Sequence, residues 1–118
     1  NFAGADFTGA RAAESSWEGA ILDFAEFGET ILTRATLTGA SLKGTTFFRC
    51  DLRKASFADA NLEGAKIVES NVQNGSFERA NLAGADLRGS NCYNAEFWDA
   101  VMRGANLSGT NVKSTKLA

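Results

Sequence analysis

The chain has 118 residues, with 12 basic and 14 acidic side chains, a net charge of −2, and neither histidine nor proline. The missing histidine removes the commonest general base and metal ligand near neutral pH. Its apolar runs are only a few residues long, which is too short for a membrane span or a signal peptide.

Taken in order, every fifth residue from Phe2 is apolar. The first twenty residues carry Phe2, Phe7, Ala12 and Trp17 at these centres. The next sets are Leu22, Phe27, Leu32 and Leu37, then Leu42, Phe47, Leu52 and Phe57, then Leu62, Ile67, Val72 and Phe77. Leu82, Leu87, Cys92 and Phe97 follow, and Met102, Leu107, Val112 and Leu117 close the series. Five is the period of neither helix nor strand. Two residues before each centre stands a small residue such as Ala5, Ala60 or Ala105. In an extended segment these two share a face, and the residue between them points away. The last two positions of each unit are polar residues or glycine, which turn the chain. Each unit is therefore a short side followed by a corner, and sides joined by like corners stack into a coil.

The number of sides follows from sorting. Ten glycines occupy the corner position. They fall 5, 3, 0 and 2 on four sides of a 20-residue coil, but 4, 3 and 3 on three sides of a 15-residue coil. The uneven distribution favours four sides and about six coils, a rod of roughly 25–30 Å at about 4.8 Å per coil. Aromatic centres concentrate on the second and fourth sides, which face each other.

The units Ala60-Asn61-Leu62-Glu63-Gly64, Ala80-Asn81-Leu82-Ala83-Gly84, Ala85-Asp86-Leu87-Arg88-Gly89 and Ala105-Asn106-Leu107-Ser108-Gly109 resemble the A(D/N)LXX signature of pentapeptide-repeat proteins. The resemblance covers essentially all of residues 1–118. It implies an all-β fold, a right-handed quadrilateral β-helix, as a single domain. Ala12, Cys92, Gly75, Ile21, Ile31 and Val101 depart from the pattern locally.

No catalytic, metal or cofactor set is expected. Cys50 and Cys92 fall at inward positions about 10 Å apart along the stack, beyond disulfide reach, and read as buried thiols. Asn71, Asn91 and Asn111, like Asn61 and Asn81, are expected to form amide ladders along the stack.

The outer surface is more informative. Charges by side sum to 0, −2, +3 and −3. A basic face on the third side carries Arg11, Arg34, Arg53, Lys54 and Lys113. An acidic face on the fourth carries Glu18, Asp59, Glu78, Glu96 and Asp99. Outward aromatic and apolar residues form a second candidate surface. Phe48 stacks below Val68, Tyr93 and Trp98 flank one corner, and Phe24 occupies a corner otherwise held by glycine. Such residues are enriched in interface cores, although single exposed apolar residues also need no explanation.

No cap sequence is visible. Either caps lie outside this chain, or the terminal coils pair with another copy as a homodimer or an end-to-end stack. The expected function is a non-enzymatic scaffold for a protein partner. The family resemblance implies an alternative, a DNA mimic that binds DNA gyrase and confers quinolone resistance, for which Thr38 and Ala58 interrupt the acidic stripe. Direct nucleic-acid binding through the basic face is a lesser reading, because five cations are few. A cytoplasmic setting is expected; plastid or cyanobacterial lumenal members of the family also exist.

Overall fold

The computed structural model describes residues 1–116, which form a rod with Cα extents of 32 × 21 × 20 Å. The square cross-section and the length agree with the four-sided reading. Three short strands are β1 (Glu26–Gly28), β2 (Thr46–Phe48) and β3 (Lys66–Val68), ordered β1-β2-β3 in one parallel sheet. Their register sets Phe27 beside Phe47 and Phe47 beside Ile67. On all four sides, single parallel bridges join residues twenty apart, among them Asn61 with Asn81 and Asn71 with Asn91.

Each five-residue unit pairs its backbone with the rungs above and below and closes its own corner. The N–H of a lining residue donates one rung up, as Leu22 does to the Ser41 carbonyl at 2.8 Å. The outward residue before it donates one rung down, as Asp51 does to Thr30 at 3.0 Å. The corner is closed by the small residue, as in the Ala25 N–H donating to the Leu22 carbonyl at 3.0 Å. A three-residue turn bond with positive φ at the third position is the mark of a type II turn. All 23 corner positions have positive φ, ten as glycine and thirteen as other residues. The Asp or Asn of the signature caps the turn through its side chain. Asn61 Oδ1 accepts from the Glu63 N–H at 3.1 Å, and Asp86 Oδ1 from the Arg88 N–H at 3.0 Å.

The lining is as the five-residue phase requires. Every centre from Leu22 to Phe97 is at most 3% exposed. Two ladders of stacked rings fill the lumen. Phe7, Phe27 and Phe47 stack on the second side at 5.0 and 4.9 Å, and Phe57, Phe77 and Phe97 stack on the fourth at 5.0 Å each. The column changes sides where Phe47 meets Phe57 edge-on at 5.7 Å. Trp17 packs edge-on against Phe7 and Phe27, which offsets the small Ala12 in the same rung. At the ends, Phe2, Leu107 and Val112 are 37–48% exposed, because among the described residues no rung covers them. Leu117, the last expected lining residue, lies outside the described residues.

The amide ladders are present. Asn91 donates to Asn71 at 3.3 Å, Asn111 to Asn91 at 3.1 Å, and Asn81 to Asn61 at 3.4 Å. Both cysteines are free and buried, and desolvation pushes the Cys92 thiol up to about 12.

One device is absent from the sequence reading. At the corner after the second side, the small column reads Ala10, Thr30, Cys50, Ser70, Ser90 and Thr110, whereas the others are mostly alanine. There the hydroxyl of one rung enters the turn of the rung below. Ser70 Oγ accepts from the Cys50 N–H at 3.1 Å and donates to the Phe47 carbonyl at 3.2 Å. Ser90 does the same between the Ser70 N–H and the Ile67 carbonyl, at 3.1 and 2.6 Å. Cys50 donates its thiol to the Phe27 carbonyl. A hydroxyl thus takes the place of the direct turn bond after β2 and β3, and the Cys50 thiol caps the Phe27 carbonyl after β1.

Two measurements check this account. Ser70→Ala leaves a buried N–H and C=O without partners and is expected to cost about 1–3 kcal/mol in denaturant unfolding, whereas Ser76→Ala on the outer face costs less. Phe77→Asp removes a ring from the ladder and buries a carboxylate, so its loss exceeds the ~3–5 kcal/mol of a Phe→Ala deletion. A thermal melt of Phe77→Asp that overlays the parent contradicts the lining assignment.

Candidate interaction surface

With the lumen filled, the chemistry available to a partner lies on the outward and corner positions. Their direction is set by the same turns that close each rung. Tyr93 follows the centre Cys92, and its N–H donates to Asn91 Oδ1 at 3.1 Å. Trp98 follows the centre Phe97, and its carbonyl accepts the Arg79 N–H at 2.7 Å. The backbones of both are thus fixed while 41% of Tyr93 and 37% of Trp98 remain exposed. Among the described residues the aromatic ring pairs all lie in the lumen, and none joins Tyr93 to Trp98.

Phe48 and Val68 pair across β2 and β3, as the twenty-residue period requires. Phe48 is partly covered by its neighbour, because the Arg49 guanidinium lies 5.0 Å from the ring centroid and is also 3.8 Å from Glu69. Phe24 is the most exposed of the large apolar residues, at 68%. Its ring lies over Gly44, where a Cβ would come within 2.6 Å of two ring carbons. Gly44 is therefore the seat of Phe24, a role visible only once the rungs are stacked. The structure brings Phe48 beside Val68 but sets Phe24 three rungs from Tyr93 and Trp98.

The acidic face is broken by a cation. Arg79 contacts Asp59 at 2.7 and 3.1 Å and Glu78 at 2.6 Å. The same contacts hold the Asp59 carboxyl below the usual carboxylate range. Glu18, Glu96 and Asp99 make no ion pair among the described residues.

On the basic face, Arg53 grips Asp51 through two contacts, at 2.9 and 2.7 Å, and this hydrogen bonding lowers the Asp51 pKa. Arg11, Arg34, Lys54 and Lys113 make no ion pair among the described residues. A concavity of about 300 Å³ opens between Arg34, Arg53 and Lys54. An apolar mouth of about 220 Å³ opens at the far end of the lumen, lined by Phe97, Met102, Leu107 and Val112. Among the described residues no three His, Cys, Asp or Glu side chains converge as a metal site. No helix there is long and apolar enough to cross a membrane.

Comparison with known proteins places this geometry. The family model for a pentapeptide repeat region matches residues 10–87, and a second, for eight copies of the pentapeptide repeat, matches residues 80–117. No curated protein matches the chain. Among solved structures, a pentapeptide repeat protein of the Arabidopsis thaliana thylakoid lumen is similar at 27% identity and a TM-score of 0.66, over 87% of this chain and 68% of its own. A pentapeptide repeat protein of Nostoc, alr5209, is similar at 26% identity and 0.57, over 90% and 83%. QnrB1, a plasmid-mediated fluoroquinolone resistance protein, shares the fold at 21% identity and 0.62, over 98% of this chain and 66% of its own. The A(D/N)LXX units, the rungs of twenty residues and the matched family models agree: this chain belongs to the pentapeptide-repeat proteins.

Proposed function

We propose that the chain is a rigid, non-catalytic rod that presents fixed side chains to a protein partner. The observation that carries this reading is the exposure of Tyr93 and Trp98 on backbone held by the ladder, outside a lumen packed with stacked phenylalanine rings. Two aromatic rings on a rigid support lose little conformational entropy on binding, and such anchors dominate interface energetics. The twenty-residue bridge spacing over 116 described residues supports about six coils. The family resemblance supports a right-handed winding.

The DNA-mimic reading stands second. A mimic presents carboxylates in an unbroken row. Here Arg79 engages Asp59 and Glu78 in the middle of the acidic face, and the adjoining third side is basic. These contacts favour the scaffold over the mimic, and a gyrase supercoiling assay with the purified rod separates the two.

The scaffold reading is tested by affinity capture followed by a binding titration with the captured partner. Tyr93→Ala combined with Trp98→Ala is expected to weaken that partner by roughly thirtyfold or more, the scale of losing about 2 kcal/mol of hot-spot contact. The melting curve of the double variant should stay close to the parent, since neither ring packs in the lumen. Undiminished affinity in the double variant removes these residues from the interface.

A further inference from the structure

The corner after the third side differs from the other three. Its left-handed position is held by Glu14, Arg34, Lys54, Asn74, Asn94 and Ser114, with φ between 57° and 60°. None is glycine, the residue that adopts this conformation most readily. The other corners hold five, three and two glycines. Arg34 and Lys54 in particular are kept against a backbone preference, which points to a use for their side chains.

Three successive rungs of this corner enclose the concavity of about 300 Å³ lined by Thr33, Arg34, Arg53, Lys54, Gln73 and Asn74. Its charge is specific. Arg53 is neutralised by its two contacts to Asp51. Arg34 and Lys54 make no ion pair among the described residues, and Glu14, one rung before Arg34, is not part of the lining. The groove therefore presents two cations, Arg34 and Lys54, that no ion pair among the described residues engages. Its amides are also oriented. Asn94 Nδ2 donates to Asn74 Oδ1 at 2.7 Å, which leaves the Asn74 amide nitrogen as a donor for a ligand. Gln73 adds a second amide one residue earlier.

We infer that this groove binds a phosphate monoester group, with Arg34 and Lys54 matching its charge and the Asn74 and Gln73 amides donating to its oxygens. A phosphate monoester carries about −1.5 to −2 charges at pH 7 and three strong acceptor oxygens, which fits two cations and two amides. A carboxylate brings one charge and leaves one cation unmatched. A nucleic-acid strand spreads single charges along its backbone, and three rungs span only about 10 Å, too short to engage several of them. The space beyond one phosphate accommodates the esterified organic group, from either a small metabolite or a phosphorylated side chain.

The test is calorimetric titration of the whole chain at low salt with phenyl phosphate and, in parallel, with phenyl sulfate, which has one charge. Phenyl phosphate is expected to bind at least tenfold more tightly than the sulfate. Its affinity is expected to fall below about pH 6, where the dianion takes up one proton and becomes a monoanion. Arg34→Gln combined with Lys54→Gln keeps a Cβ at both left-handed positions and removes both charges. It should lower phenyl phosphate affinity at least tenfold with an unchanged melting curve. Arg11→Gln, outside the groove, should leave the affinity unchanged. A phosphoserine peptide that binds more tightly than phenyl phosphate assigns the group to a protein partner, and equal binding assigns it to a small ester. The inference is overturned by no phenyl phosphate binding at millimolar concentration, by equal affinity for the sulfate, by undiminished affinity in the double variant, or by binding of single-stranded oligonucleotide alone.

Discussion

The parallel backbone ladder between residues twenty apart is the constraint from which the rest of the rod follows. Between the terminal rungs, lining N–H groups donate upward and outward N–H groups donate downward, so the sides are tied to the rungs above and below them. Once that ladder is in place, residues at one phase of the five-residue period must share a lumen. The stacking distance of the phenylalanine rings, 4.9–5.0 Å, is the rung spacing expressed in side chains. Core volume must then be conserved rung by rung, and the ring column can change sides only where Phe47 and Phe57 share a rung and meet across it. Close-packed interiors tolerate such exchange when total volume is kept.

The ladder imposes a cost at the corners. Every fifth residue must adopt a left-handed conformation that disfavours side chains with a Cβ by roughly 1–2 kcal/mol, less for Asn and Asp. Thirteen of the 23 corners nonetheless carry such side chains. Asn74, Asn94, Asp59 and Asp99 suit the conformation, but Phe24, Arg34, Lys54 and Arg79 do not. Three outward features of this rod sit at these exceptions: Phe24 over Gly44, Arg79 beside Asp59 and Glu78, and the groove of Arg34 and Lys54. Fold and function are thus written on different positions of the same unit. The inward positions specify a tube that many sequences share, and the outward and corner positions specify what this tube displays.

Much of the fold was legible because the period is short and unbroken. The four-sided coil, the lining from Leu22 to Phe97, the asparagine ladders and the two buried thiols all follow from position within the unit, since parallel stacking repeats the same environment at each rung. The candidate surface was legible only as a set of directions. Position places Tyr93 and Trp98 outward and Phe48 beside Val68, but it does not say which rings meet. The hydroxyl column at Thr30, Ser70 and Ser90 was present as a compositional signal, yet its meaning depends on a turn geometry that spacing does not encode.

By itself, then, the sequence determined which residues face the lumen and which are twenty residues, and hence one rung, apart. A single phase relation carries that information, and the hydrophobic core enforces it. Only the tertiary structure decided how outward side chains of adjacent rungs pair. Arg79 turns to Asp59 and Glu78, Arg53 to its own-rung Asp51, and Arg34 and Lys54 make no ion pair among the described residues. Those choices rest on side-chain reach and hydrogen-bond geometry between neighbouring rungs, which a period in residue number does not specify.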